Sequence, residues 1–497
     1  MVPFLITLSI IMLVCVGAIR TFFHSDVRIT TPTSLARDFA QKYNLPRALV
    51  TSASGSSSFI LALALIVIWG YHRVFATLNN SDPVFAWTFN VIFGIVAAYF
   101  ILAATERHYT IDGWVSPKVA VLVPLYNEDH HTASTMLNAL LNQSQKPDEI
   151  HVVDDGSDDP YLNIRENFLA NAKAAGVLAT WVRTENHGKR HAQVTAFHNI
   201  HNAKVFVTVD SDSVLDFQAI KQICLPFRDS RVMSVAGVVL AWNNRVNWFA
   251  RVTDMLFVTQ QLIDRAAMSR LGSVLVNSGG LAAYRVEILG NNANLQQYLS
   301  ERYLGARVQF SDDSLLTLFA LKMGRTVHQR TAFTFTVMPE TLGYHYRQQI
   351  RWMRGSFIRG IWRLRFLPIL SWGFMRQLFG WLQLLVATYI LAYFLLWRPI
   401  VESTAPPLEA LIVPIVISYV YATRYLTVWR SDMNRREQWL VFLCAPFIAI
   451  WQLIFLRPLR FWGAITARHT QWGTQEEVEI DMEGREPQAL PSSQTPI

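Results

Sequence analysis

The sequence predicts an α/β domain with a mostly parallel sheet, inserted between membrane-spanning helices. Three observations carry that expectation. The 497-residue chain is 52% hydrophobic and only 16% charged, with mean hydropathy +0.22, whereas a soluble domain carries about 25% charged residues. Apolar stretches of bilayer length flank a polar middle section. Inside that section, short β-branched runs alternate with helical patterns. The first observation excludes an ordinary soluble enzyme; the other two exclude a plain bundle of membrane helices.

Ahead of the middle section stand three apolar stretches, 4–19, 59–71 (lengthened by the small residues 53–58) and 84–104. A membrane crossing needs about 20 mostly apolar residues. The first stretch lacks a basic leading region and an A-x-A cleavage site, so it reads as a retained anchor rather than a signal peptide. The loop between the first two carries Arg20, Arg28, Arg37, Lys42 and Arg47, which the positive-inside rule puts in the cytoplasm. Two further crossings return the chain to the cytoplasm near Arg107, the compartment of nucleotide-activated substrates. Residues 1–110 therefore read as about three membrane helices, and 117–340 as a cytoplasmic domain in a multi-pass protein of the cell membrane.

In the middle section the β-branched runs 119–123, 150–153, 180–183 and 205–209 alternate with helical patterns at 132–141, 161–175 and 192–199. Short apolar strands separated by helices form βαβ units and a parallel sheet. Beyond it, 344–365 is dense in Arg and Trp, which suits an amphipathic helix among lipid headgroups. Arg354, Arg359, Arg363 and Arg365 are expected to face those headgroups. Spans follow at 373–397 and 408–428, while 439–462, interrupted by Pro446 and Pro458, is expected to lie in the interface or re-enter. Residues 341–475 thus read as interface helices, two membrane helices and a re-entrant segment. The acidic, then Pro/Ser-rich tail 476–497 lacks the apolar content to fold.

The formal charge of +8 suits cytoplasmic loops and lipid headgroups. No basic stripe marks a soluble module, so nucleic acid is not an expected partner. Cys15, Cys224 and Cys444 are odd in number and far apart, which yields no disulfide framework or cysteine metal site. His130, His131 and His345 show no metal-ligand spacing and read as surface or structural residues.

The chemistry concentrates at strand ends. In open parallel sheets, ligands bind beyond the carboxyl ends of the strands. The first strand runs into Pro124-Leu125-Tyr126-Asn127-Glu128, the second into Asp154-Asp155-Gly156-Ser157, and the last into Asp210-Ser211-Asp212-Ser213. One such cluster alone is equally well a turn, but three on successive strands make an acidic edge that repels anions unless a cation sits there. Hard divalent cations take carboxylate oxygens and share their shell with substrate phosphates, so Mg²⁺ or Mn²⁺ bridging carboxylates and a diphosphate is expected. There is no G-x-x-x-x-G-K-[ST] or G-x-G-x-x-G loop in this section. His187-Gly188-Lys189-Arg190, opening a helical pattern, offers cations to phosphate, though taken alone it is equally well a solvated helix start.

These residues resemble family 2 glycosyltransferases of the GT-A fold, metal-dependent enzymes that use nucleotide sugars and invert the anomeric centre. Asn277-Ser278-Gly279-Gly280, Ser311-Asp312-Asp313 and Gln348-Gln349-Ile350-Arg351-Trp352 are similar to motifs of the processive, membrane-embedded members, above all hyaluronan, chitin and chito-oligosaccharide synthases. Leu456-Arg457-Pro458, leading through Ala464 and Thr466 to Trp472-Gly473-Thr474, is similar to their gating segment. The resemblance spans 117–475. It implies that Tyr126 stacks on uracil, Asp154 bonds the edge of that base, and Glu128 and Lys189 support the nucleotide. It further implies Asp210 and Asp212 as holders of metal and diphosphate, and Asp313 as general base with Asp312 second. Gln348 and Arg351 would bind the leaving diphosphate, while Ser278, Gly279 and Trp352 would face the acceptor. Trp472 would close over the nucleotide. The implied partners are a UDP-sugar donor, a polysaccharide acceptor and membrane lipids.

The chain departs from the hyaluronan synthase pattern at Val276 and Gly280, at Ser311 and Ser314 flanking the Asp pair, and at Gln475 after the gating motif. These positions surround the acceptor site and lid, so they bear on which sugars are used rather than on the reaction class.

Overall fold

The computed structural model describes residues 45–50, 83–107, 109, 115–404 and 408–470, with 38 and 40–42. The expected spans at 4–19 and 59–71, Trp472 and the tail lie outside the described residues.

The centre of the fold is an eight-stranded mixed sheet. Its strands are β1 (Val119–Leu125), β2 (Glu149–Asp154), β3 (Leu178–Arg183), β4 (Val205–Thr208), β5 (Val214–Leu215), β6 (Val232–Ala241), β7 (Ala282–Arg285) and β8 (Arg325–Thr336). The order is β3-β2-β1-β4-β7-β6-β8-β5. The pairs β3-β2, β2-β1 and β1-β4 are parallel, as the alternating pattern predicts. Beyond β4 the sheet changes character: β7 is antiparallel to both neighbours, β6-β8 is parallel, and β8-β5 is antiparallel. All seven residues of β1 are buried, the burial expected of a parallel strand covered on both faces.

One face packs under helices His130–Leu141, Leu162–Ala174 and Ala219–Cys224, burying Val121, Met136, Ile150, Phe168 and Ile220. The other packs under Lys189–His198, Asn292–Ser300 and Asp312–Met323, burying Val153, Phe206, Tyr284, Tyr298 and Phe319. The helical starts follow from local chemistry. Asp129 accepts from the Thr132 amide, Asn247 from the Ala250 amide and Thr341 from the Tyr344 amide, each satisfying a donor that a helix N-terminus leaves open.

The C-terminal region departs from expectation in two places. Among the described residues, two helices are long and apolar enough to cross a bilayer, Trp372–Val401 and Ala445–Ile465. The first matches the expected span at 373–397. The second runs through the stretch expected to be interrupted: Pro446 falls in the first turn of its helix, where no intrahelical N–H bond is lost, and Pro458 follows a π-helical stretch, Trp451–Leu456, that absorbs its missing donor. Conversely, the stretch at 408–428 is helical only over Leu408–Ala422 and then turns into the strand Val428–Arg430, which pairs with Ala48–Val50. The N-terminal stretch at 84–104 is helical over Pro83–Ala104.

The Val428–Arg430 strand is fastened to the domain by charge. Arg430, 3% exposed, donates from Nη1 to Asp254 Oδ2 at 2.6 Å and from Nη2 to Asp432 Oδ2 at 2.7 Å, and Nη2 also reaches the Ala241 carbonyl. Asp254 is 0% exposed, so it depends on that guanidinium for compensation. Removing one partner of a buried pair costs about 3–5 kcal/mol. Arg430→Met is therefore expected to lower the thermal unfolding midpoint of the purified protein by several degrees, whereas the exposed Arg365→Met should leave it unchanged.

Candidate active site

The carboxyl ends of β1, β2 and β4 lie side by side, because these strands are parallel neighbours. Their loops open on a cavity of about 1420 Å³. Tyr126, Glu128, Lys189, Asp210, Asp212, Ser278, Gly279, Asp312, Asp313, Gln348, Arg351 and Trp352 all line it. Residues far apart in the chain thus meet at one sheet edge, while Trp472 lies outside the described residues.

Asp154 is the exception. It is 1% exposed, its Oδ2 accepts from Arg183 Nη1 at 2.9 Å, and its Oδ1 accepts from the Ser157 amide at 2.9 Å. Its neighbour Asp155 lines the cavity instead, accepting from the Gly188 and His187 amides at 2.8 and 3.1 Å. Successive side chains at a strand end point to opposite sides, and here the second carboxylate takes the cavity side. Burial, outweighing those amide bonds, pushes Asp155 up to about 6. The doublet itself is the only sequence sign of this residue, and it does not say which member faces inward.

The acidic edge is crowded. Glu128 accepts from Ser211 Oγ at 2.8 Å, and Asp212 accepts from Ser213 Oγ at 3.2 Å. Burial, then the negative charges of Asp210 and Glu128, raise Asp212 well above the usual carboxylate range. Gly279 packs beside them: a Cβ there would sit 2.8 Å from Asp210 Oδ2 and displace that carboxylate. Among the described residues, no three His, Cys, Asp or Glu side chains form a ligand cage. Two hard oxygen donors beside a raised carboxylate still fit a divalent ion that takes its remaining ligands from diphosphate and water.

Lys189 begins the helix Lys189–His198 after Gly188, whose φ of 92° suits glycine. Its Nζ lies 2.6 Å from Asp210 Oδ1 and 3.3 Å from Asp312 Oδ2. It therefore bridges the β4 loop and the Asp312-Asp313 turn. The two adjacent carboxylates differ. Although burial acts against ionisation, Lys189 and Arg190 hold Asp312 below the usual range. Burial, then the charge of Asp312, raise Asp313 well above it. The two neighbouring carboxyls are thus pushed in opposite directions, Asp312 toward its anion and Asp313 toward its protonated form.

Gln348, Arg351 and Trp352 stand on the helix Leu342–Phe366 at i, i+3 and i+4, one face of a helix. Gln348 Oε1 is buried with no hydrogen-bond partner among the described residues, an acceptor left for a ligand or water. Trp352 is 40% exposed and rests edge-on against Phe257, with ring centroids 5.3 Å apart. Two arginines of this helix depart from their expected place at lipid headgroups. Arg359 is 0% exposed and ion-paired to Glu301, and Arg363 is 3% exposed, donating to Gln377 Oε1 and the Leu275 carbonyl. They fall seven and eleven residues after Trp352, hence on the same inward face, a spacing that could have shown it. Arg354 donates to Thr466 Oγ1, Arg365 is exposed, and His345 is buried against Trp451.

The cavity does not end at these groups. It continues between the C-terminal helices, lined by Ile390, Phe394, Tyr421 and Ala449 among apolar residues and by Arg265, Arg363, Arg376, Arg457 and Arg460 among charged ones.

A family model described as glycosyltransferase-like family 2 matches residues 117–355. Hyaluronan synthase from Streptococcus pyogenes is 31% identical over 374 residues, covering 73% of this chain and 84% of that protein. An N-acetylglucosaminyltransferase from Rhizobium sp. (strain N33) is 32% identical over 272 residues, 54% of this chain and 58% of that protein. Among solved structures, a mannosyltransferase from Pyrobaculum calidifontis in complex with GDP-Man and Mn²⁺ aligns with a TM-score of 0.47 at 16% identity, covering 75% of this chain and 97% of that one. The mixed sheet with its acidic loops is a GT-A-like glycosyltransferase fold, and the chain belongs to glycosyltransferase family 2 as a homologue of the hyaluronan synthases.

Proposed function

We propose that this protein is a membrane-embedded, inverting polysaccharide synthase that transfers sugars from UDP-sugars to a growing β-linked polymer on the cytoplasmic side and couples synthesis to export. The observation that carries this reading is the single cavity in which Asp210, Asp212, Lys189, Asp313, Gln348, Arg351 and Trp352 meet, and its continuation between the C-terminal helices. Along that continuation five arginines, Arg265, Arg363, Arg376, Arg457 and Arg460, outnumber the one carboxylate among them, Asp264, which suits a uronate-bearing, hyaluronan-like chain better than a neutral, chitin-like one.

In this reading Tyr126 stacks on the uracil, and Asp155 takes the base-edge role that the resemblance gives to Asp154. Glu128 and Lys189 support the nucleotide. Asp210 and Asp212 would hold Mn²⁺ or Mg²⁺, which when bound offsets negative charge on the diphosphate. Asp313 takes the proton of the acceptor hydroxyl, whose oxygen bonds to the anomeric carbon from the face opposite the leaving group. The bond from that carbon to the diphosphate oxygen breaks, and UDP departs with the electron pair, inverting the centre. Arg351 and Gln348 bind the departing diphosphate, where charge develops in the transition state and a preorganised cation is most effective. Trp352 offers the acceptor ring a flat apolar face beside Ser278 and Gly279, and Trp472 is the gating residue.

Asp313→Asn is expected to reduce turnover by about 10²–10⁴-fold while UDP binding, measured calorimetrically with Mn²⁺, persists. Near-normal turnover would remove Asp313 from the role of base. Because its carboxyl is raised and must be ionised to act, kcat/KM should fall as pH drops, with an acid limb well above the value of about 4 of an ordinary carboxylate. Asp312→Asn, which removes a like charge, should move that limb to lower pH. Excess EDTA should stop synthesis, and Mn²⁺ should restore it. Purified protein given radiolabelled UDP-sugars singly and in pairs decides the product. Long polymer that requires two donors, one of them a uronate, supports the reading, long polymer from one donor supports the chitin-like form, and a product one sugar longer on a lipid carrier overturns processivity.

A further inference from the structure

Outside the residues assigned so far, a buried charge cluster centres on Glu301, which follows the helix Asn292–Ser300 and is 4% exposed. Its Oε1 accepts from Arg359 Nη1 at 2.6 Å and Trp362 Nε1 at 3.0 Å, and its Oε2 accepts from Arg190 Nη2 at 2.9 Å and Arg359 Nη2 at 3.1 Å. Such clusters often add no net stability over apolar packing, so stability alone is a weak reason for one. The remaining donors of the two arginines give a stronger one. Arg359 Nε donates to Ser314 Oγ at 3.1 Å, and Ser314 Oγ in turn donates to the Ser311 carbonyl at 3.0 Å. Arg190 Nη2 also donates to the Phe310 carbonyl at 2.7 Å. The residues so gripped form the turn that carries Asp312 and Asp313.

That turn needs support. Ser311 has φ 58°, the left-handed region, a conformation that is costly for a non-glycine residue and persists only where its surroundings enforce it. Gly355, one turn before Arg359, packs against Ser311 so closely that a Cβ would overlap its hydroxyl oxygen. Arg190 directly follows Lys189, and Arg359 shares its helix with Gln348, Arg351 and Trp352. One carboxylate therefore ties together the three segments that carry the nucleotide, base and diphosphate groups.

We propose that Glu301, acting through Arg359 and Arg190, is the positioning residue that holds the 310–314 turn, and with it Asp313, in register with the Gln348–Arg351–Trp352 face. The proposal rests on Asp313 being the base. Arg359→Met is the cleaner probe, since Glu301 keeps Arg190 and Trp362; Glu301→Gln should act in the same direction. In the full-length detergent-purified protein, hydrogen exchange of the amides of 310–315 is expected to quicken about tenfold or more in Arg359→Met, with the rest of the domain unchanged. kcat should fall about 10²-fold, with KM for UDP-sugar and UDP affinity within about twofold of wild type, and Arg359→Lys should recover part of the loss. Unchanged exchange at 310–315, or unchanged kcat, overturns the proposal. So does loss of protection and UDP affinity throughout the domain, which marks a general scaffold role. If the wild-type protein transfers no sugar while exchange responds as expected, the positioning of the turn stands and the functional reading falls.

Discussion

Seven carboxylates among the described residues, those of Glu128, Asp155, Asp210, Asp212, Asp264, Asp312 and Asp313, line one cavity, and like charges gathered in a partly desolvated site repel unless cations intervene. The rest of the site is arranged around that constraint. Lys189 spans Asp210 and Asp312, joining the loop after β4 to the turn before the helix Asp312–Met323. Asp212 and Asp313, buried beside neighbouring negative charges, hold their protons more tightly.

The scaffold holds these charges in place by two means. The sheet aligns the ends of β2, β1 and β4 through parallel pairing, so three loops open in one direction. The long helix Leu342–Phe366 closes the cleft from the side, presenting Gln348, Arg351 and Trp352 to the cavity while Arg359 and Arg363 anchor it to the domain. A cleft walled on one side by a rigid sheet and on the other by an ion-paired helix keeps its dipoles oriented before substrate arrives, the condition under which electrostatic stabilisation of a transition state is effective.

The cavity also joins two environments. At one end are the hard oxygen donors of the strand-end loops; at the other, arginines sit among the apolar side chains of the C-terminal helices. Buried cations along a passage are costly unless something negative occupies it. Asp264 lies among them and offsets part of that cost through Arg376, Arg460 and Arg265.

Local patterns in the chain were enough to read the parallel half of the sheet, because alternating β-branched and 3.6-period segments have few other solutions; strand-end motifs pointed to Tyr126, Glu128, Asp210 and Asp212, and the resemblance to family 2 glycosyltransferases to Ser278, Gly279, Asp313, Gln348, Arg351 and Trp352, all of which line the cavity. They could not say that Asp155 rather than Asp154 faces inward, because that depends on how the strand end twists against β3. Nor could they separate Arg359 and Arg363 from arginines meant for lipid: one helix carries both, and only the packing of Glu301, Gln377 and Leu275 against one of its faces takes these two out of solvent. Pro446 and Pro458 read as helix breakers in isolation, yet a first-turn position and a π-helical stretch accommodate them. Side-chain type and spacing specify which chemistry is available; which of two neighbours performs it is set by the partners that distant segments bring alongside.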